Sequence, residues 1–197
     1  MAMYLAAAFR LLFATRHAQG DEMNHEHGLG RDELRRALGA FATGVTVVTT
    51  RGPAGDHGMT ANAFTSVSLD PALILVCVAE RSAGRTAIAE NGIFAVNVLS
   101  AGQEALSRRF ARRDRPRGAA TFTGVRWRPE STGAPVLAGA AAYLDCRLVI
   151  THQAGDHVIF VGSVARFGFD ETAEPLVFHR GRYHALPGDP PAYQAAA

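Results

Sequence analysis

With 197 residues, 48% of them hydrophobic and 19% charged, the chain has the composition of one ordinary globular domain, large enough to bury a core without staples. A formal net charge of +2 and a pI near 8.8 are too mild to demand a nucleic-acid partner. The two cysteines, Cys77 and Cys146, lie in apolar runs with no CxxC or His-rich spacing, which argues against a disulfide or metal framework and for reduced thiols in the cytoplasm.

In chain order, Met1 to Ala14 is apolar but is broken by Arg10, has no basic residue ahead of it, and is too short to cross a membrane, so neither a secretory signal nor a membrane anchor is expected. Residues 1–30 are expected to be a dispensable extension with Met23 a sensible alternative start, 31–187 the domain, and 188–197 a flexible Pro/Ala tail. From Arg31, the helical spacing of Leu34, Leu38 and Phe41 predicts an amphipathic helix that packs on something and stops at Gly44. Val45–Thr50 is β-branched and predicts a strand, which turns through Gly52–Asp56 into a hairpin partner beginning at His57.

That partner, His57–Pro71, holds more uncharged hydrogen-bonding side chains than a core strand tolerates. Period-two alternation puts Thr60, Asn62, Ser66 and Ser68 on one side and Ala61, Ala63, Val67 and Leu69 on the other, predicted to be the core side. Either the polar row is a solvated face or it meets a polar, uncharged ligand, since each buried group without a partner costs about 1–3 kcal/mol. Asp70-Pro71 ends the stretch in a turn.

Ala72–Ala79 is apolar throughout and predicts a fully buried central strand. Ser82 then caps a helix that runs to Glu90 and stops at Asn91-Gly92. Arg81 and Arg85 stand at the positive end of that helix dipole, a placement disfavoured unless an anion is present. With the hydroxyls of Ser82 and Thr86 they make a phosphate seat, the alternative being two exposed arginines without a ligand. Phe94–Leu99 is a strand with one odd polar member, Asn97, and Gln103–Phe110 is a short helix.

The arginines of the basic loop Ala111–Gly118 could grip a phosphate or RNA, but the loop lacks interleaved aromatics and is expected to be solvated. Val125–Arg128 is a short strand. Ala142–Thr151 and His157–Phe169 are long strands joined by a four-residue loop, Gln153–Asp156, with His157 at the hairpin mouth. Pro175–His184 is a last strand broken by Gly181. Many strands, long hairpins and few helices predict a mainly β barrel with peripheral helices, and no strand leads into GxGxxG. GxSxG, HExxH and a Walker loop are likewise missing from the sequence.

Between Leu34 and Leu186 the chain resembles the flavin reductase-like family, whose fold is the FMN-binding split β-barrel and whose members include reductase components of two-component flavin monooxygenases. The resemblance rests on Ala42–Thr50, the Met59–Pro71 stretch, Ser82 with Thr86, Phe94–Leu99, Gly155-Asp156-His157 and Arg180–Tyr183, in that order and spacing. It implies reduction of FMN or FAD by NADH or NADPH, a homodimer with the site at the subunit interface, and a partner monooxygenase that takes the reduced flavin. Thr60, Ala61, Asn62 and Ala63 would line the ring and ribityl chain, with Ser66, Val67 and Ser68 near the ring's polar edge. Ser82, Arg85 and Thr86 would hold the flavin phosphate, and Asn97 would lie near the same cofactor. His157, the one catalytic assignment, would stand beside the nicotinamide, and Tyr183 would border the dinucleotide side. No metal, nucleic acid or membrane enters this reading. Two other readings stay open: a split-barrel flavoprotein that retains FMN and acts on another small molecule, and a non-enzymatic flavin-binding module.

Overall fold

The computed structural model describes residues 30–186. The expectations for the N-terminal extension and the C-terminal tail therefore lie outside the described residues. The chain divides after Ala40 into two compact units, the second beginning at Phe41. Helix α1, Arg31–Leu38, belongs to the first; Asp32 and Glu33 in its first turn and Arg35 and Arg36 in its last suit the helix dipole. It is shorter than the apolar spacing predicted, Phe41 lies beyond it, and none of its residues is buried.

The second unit is mainly β, as expected. Its strands are β1 (Thr43–Gly44), β2 (Thr46–Thr50), β3 (His57–Ala61), β4 (Phe64–Leu69), β5 (Ala72–Ala79), β6 (Ile93–Val98), β7 (Trp127–Pro129), β8 (Pro135–Leu137), β9 (Ala142–Ala154), β10 (His157–Phe169), β11 (Val177–His179) and β12 (Arg182–His184). Seven of them form one sheet in the order β3-β2-β6-β9-β10-β5-β4, every neighbouring pair antiparallel. Helix α2 spans Ala83–Asn91 and α3 spans Glu104–Ala111. Among the described residues no helix is long and apolar enough to cross a membrane.

Strand β2 shows why a β-branched run settles in the middle of such a sheet. All five of its residues are buried, because the two sheet faces carry separate cores. Val48 packs with Met59, Ile74, Val76, Phe94 and Phe160 on one side, and Val47 packs with Val45, Leu99, Phe110 and Leu176 on the other. Its threonines are satisfied as they are buried: Thr46 Oγ1 donates to Ala61 O at 2.6 Å, Thr49 Oγ1 to Pro135 O at 2.5 Å and Thr50 Oγ1 to Ile93 O at 2.6 Å.

Four predicted elements differ in form. The His57–Pro71 stretch is two strands, broken at Asn62-Ala63, and its supposed core face is not a core: Leu69 is 93% exposed and Val67 half exposed. Strand β4 is a sheet edge with a register shift between Ser66 and Ser68, which ends the simple alternation that the sequence displays. Strand β5 lies next to that edge and buries only Ile74, Val76 and Val78, while β9 holds the middle of the order. The β9–β10 loop is two residues, Gly155-Asp156, rather than four, because pairing extends to His157 with Ala154 and Gly155 takes φ +59°. Pro175–His184 holds two strands, β11 and β12, that reverse through Arg180 and Gly181, both at positive φ.

Candidate functional site

The break between β3 and β4 is held open by backbone. Phe64 N donates to Asn62 O at 3.0 Å and Cys77 N donates to Ala63 O at 2.9 Å, so the turn is anchored to β5 while the Asn62 side chain stays exposed. Across from it, Ser82 caps α2, accepting from Gly84 N at 3.1 Å, and Gly92 closes the helix in the left-handed conformation at φ +66°. The close approach of α2 to β3 needs a glycine: a Cβ on Gly84 would stand 2.6 Å from Met59 Sδ. At the far end of the helix, Asn91 donates to Thr50 Oγ1 and Gly55 O, both at 3.1 Å, fixing the β2–β3 turn.

These elements enclose a cavity of about 310 Å³. Thr60, Ala61, Asn62 and Ala63 form one wall, Cys77, Val78, Ala79 and Ser82 another, and Phe110, Ala111, Arg115 and His157 close the ends. His157 begins β10 at the hairpin mouth, and its Nδ1 lies 2.7 Å from Asp156 Oδ1, a contact that fixes the ring's orientation. Asp156 is itself tied to the end of β5, its carbonyl accepting from Glu80 N at 3.0 Å.

Helix α3 lies over β3, where a Cβ on Gly58 would meet the Phe110 ring at 2.5 Å. Its inner residues Ser107 and Phe110 are buried. Thr60 Oγ1 donates to Ser107 O at 2.6 Å, and the Ser107 hydroxyl lies 2.9 Å from Tyr183 Oη. The loop after α3 is not solvated throughout, as its charge predicted. Arg115 folds back: its Nε donates to Gly58 O at 2.9 Å, Nη1 to Arg112 O at 2.8 Å, and Nη2 approaches His57 Nε2 at 3.2 Å. A guanidinium has only donors, so that ring nitrogen accepts and His57 is neutral. Burial, followed by the nearby charges of Arg115 and Arg117, pushes the His57 pKa down to about 4.

A second cavity, about 870 Å³, opens between α3 and this loop and shares Ala111 and Arg115 with the first. Arg108, Arg109, Arg112, Asp114 and Tyr183 line it. Arg108 stacks over the Tyr183 ring at 4.8 Å from the centroid and pairs with Glu104 at 2.7 Å. Arg112 grips Asp114 with two bonds, 3.0 and 2.6 Å, and the hydrogen bond to Arg112 holds the Asp114 carboxyl down to about 2.

The structure thus brings Thr60, Ala61, Asn62, Ala63, Ser82 and His157 to one cavity. The Thr60 hydroxyl is committed to α3. Ser66, Val67 and Ser68 stand on edge strand β4, Ser66 exposed and Ser68 half-buried. Arg85 and Thr86 follow Ser82 in the first turn of α2; Thr86 is exposed, and the Arg85 Nε is buried without a hydrogen-bond partner. Tyr183 borders the larger cavity. Asn97 is a correction: it is fully buried, its Nδ2 donates to Val47 O at 3.0 Å and Thr49 Oγ1 at 3.2 Å, and its Oδ1 accepts from Leu137 N at 2.8 Å. Its polar atoms serve the core, and it lines neither cavity. Arg115, which joins the two cavities, went unmarked in the sequence because its partners Gly58 and His57 are remote along the chain.

Comparison with known proteins adds four findings to this geometry. The flavin reductase like domain model matches residues 38–187. An NADH-dependent FAD reductase of Streptomyces globisporus is 43% identical over 167 residues, which cover 84% of this chain and 91% of that protein. Among solved structures, the NADH:FAD oxidoreductase SgcE6 of Streptomyces globisporus C-1027, in complex with NAD and FAD fragments, aligns with a TM-score of 0.75 and 41% identity over 81% of this chain and 94% of its own. BorF, the flavin reductase component of a bacterial two-component tryptophan halogenase, aligns with a TM-score of 0.76 and 44% identity over 81% of this chain and 100% of its own.

Proposed function

The chain belongs to the flavin reductase-like family, and from that premise we propose that it is an NADH-dependent flavin reductase that hands reduced flavin to a partner monooxygenase. The observation that carries this reading is the lining of the smaller cavity: uncharged side chains and backbone, with Cys77, Arg115 and His157 its ionisable groups and no carboxylate among the described residues. Such a lining suits ring systems that bring their own reactivity, because a bound flavin accepts hydride from a nicotinamide without an acid–base pair from the protein.

The donor set fits FMN or FAD. Asn62 and the backbone of the β3–β4 break face the cavity as uncharged groups for the ring's polar edge. The Ser82-capped start of α2, with the partnerless buried Nε of Arg85 and the exposed Thr86, provides donors of the kind a flavin phosphate takes. His157, held by Asp156, orients the nicotinamide at the rim, so that two rings meet at reacting distance and a bimolecular encounter becomes an intramolecular one. On this reading Ser66, Val67 and Ser68 border the flavin from β4.

The enzyme works as a homodimer in the cytoplasm, where NADH is held and thiols stay reduced. Supporting the dimer, Leu69, Phe167 and Phe169 are 93%, 63% and 67% exposed, an outlay of apolar surface that a second copy would cover. Steady-state oxidation of NADH and NADPH, each with FMN, FAD and riboflavin added in turn, tests the whole reading. NADH consumption that rises with added flavin is the expected result; consumption indifferent to flavin overturns it.

A further inference from the structure

A third cavity, about 460 Å³, lies on the flank of α3; it meets the larger cavity at Ala105 and Arg109 and shares no lining residue with the smaller one. Its size falls within the range of small-molecule pockets, roughly 300–1,000 Å³. The half-buried Leu106 and Val125 give it apolar walls, Arg109 and Arg126 are its ionisable groups, and no carboxylate lines it among the described residues. We propose that this cavity binds a small organic carboxylate, with the anionic head on the guanidinium groups of Arg109 and Arg126 and the apolar body against Leu106 and Val125. The inference stands apart from the flavin reductase reading of the smaller cavity.

The pattern of charge carries it. Arg51, Arg108, Arg112 and Arg128 each pair with a carboxylate, whereas among the described residues neither Arg109 nor Arg126 does. Arg109 is held in place without being neutralised: its Nη2 donates to Thr123 O at 2.8 Å and to Thr121 O at 3.3 Å, acceptors that carry no charge. Its Nε is buried without a hydrogen-bond partner, and a charge drawn out of water without a counter-charge is costly. An anion in the cavity supplies that counter-charge to a cation already in position, so little ordering is needed on binding. Arg126, on the opposite wall, is exposed. The amide of Gln103 is engaged at both ends, Oε1 accepting from Ser100 N at 3.1 Å and Nε2 donating to Ala138 O at 2.9 Å, and no hydroxyl lines the cavity. The two guanidinium groups are therefore its free polar side chains, and a planar guanidinium matches the two oxygens of a carboxylate. The apolar walls favour a singly charged head on an apolar body over inorganic phosphate, whose hydration they would strip.

Calorimetric titration of the full-length protein with benzoate, benzyl alcohol and inorganic phosphate reads the site without any redox step. Benzoate should bind; benzyl alcohol, which keeps the ring and loses the charge, should bind about tenfold more weakly or less, and phosphate more weakly than benzoate. Arg126→Gln should lose about tenfold in benzoate affinity with its urea midpoint unchanged, because the side chain it replaces is exposed. Arg109→Lys, which keeps the charge without the planar fork, should lose less than Arg109→Gln. Two controls locate the site. Arg108→Gln/Arg112→Gln, in the larger cavity, should bind benzoate as the wild type does, and so should the wild type with FMN present. No heat from benzoate at millimolar concentration, equal affinity for benzyl alcohol, or unchanged affinity in Arg126→Gln overturns the proposal, as does loss of benzoate binding in either control. Phosphate binding more tightly than benzoate overturns the carboxylate assignment. A protein that binds benzoate through these arginines yet reduces no flavin would overturn the proposed function and leave this site standing.

Discussion

The middle of the sheet and its β3–β4 rim both hold small polar side chains and use them in opposite ways. In the middle, Asn97 makes three bonds, to Val47 O, Thr49 Oγ1 and Leu137 N, and Asp145, also fully buried, accepts from the Thr132 backbone N–H and hydroxyl. Every polar atom there joins one strand to the next or to the β7–β8 hairpin. At the rim, Asn62 is exposed, Ser82 spends its oxygen on a helix cap, and Ala63 contributes its carbonyl to β5 rather than a side chain to a core. Partnered polar groups in a dry interior specify the fold, whereas exposed polar groups along a cavity are left for whatever enters it.

Breaking the interior network should have the largest effect. Asn97→Leu leaves the Leu137 amide without its acceptor and takes a donor from the Val47 carbonyl and from the Thr49 hydroxyl, which keeps its own bond to Pro135 O, and should cost about 2–4 kcal/mol of unfolding free energy, since a buried group left unpaired costs about 1–3 kcal/mol. A urea melt checks it, and a loss within about 0.5 kcal/mol, the range of an ordinary surface change, would dissolve the distinction between the two regions.

The next effect sharpens the comparison at the point where the regions meet, the buried His57 of β3. Its folded pKa, about 4, lies below the ordinary histidine value of 6.5, so the unfolded chain binds the extra proton first as pH falls. The stability that goes with the neutral ring is fully present above pH 6.5 and is lost progressively toward pH 4, on the order of 3 kcal/mol in all. Denaturation curves between pH 7 and pH 4 should show that decline in the wild type and a shallower one in His57→Gln. Equal slopes would mean that His57 does not titrate between the two states.

The smallest expected change in stability belongs to the rim. Asn62→Leu should leave unfolding within about 0.5 kcal/mol of wild type while weakening flavin binding by about 1–3 kcal/mol, the cost of ligand polar groups left unpaired. Fluorescence titration with FMN beside a urea melt separates the two. Unchanged flavin affinity would return the β3–β4 stretch to an ordinary solvated edge.

What could be read from the sequence was what neighbours along the chain determine. Ser82 and Gly92 announce a helix because capping is local, and Thr46–Thr50 announces a strand because β-branching is local. The wall formed by Thr60, Ala61, Asn62 and Ala63 stood out because small polar residues are misplaced in a strand unless something uses them. Pairing partners are what a sequence leaves hidden. Alternation in Ser66–Leu69 implies a core side only if the strand is covered, and β4 is an edge. A buried amide such as Asn97 looks the same in sequence whether a ligand or the Val47 carbonyl completes it. Arg115 looked like one more member of a basic run, and only the fold brings it to Gly58 and His57.

Helix α3 keeps its two faces on separate terms. Ser107 and Phe110 are fixed inward, by the bond from Thr60 and by the fit of the Phe110 ring against Gly58, while Arg108 and Arg112 face the larger cavity with no bond to β3. Substitutions on the outer face can therefore accumulate without disturbing the chamber beneath. The inner face of α3 is thereby the mounting of the smaller cavity, and the outer face is free to vary in charge and size over generations.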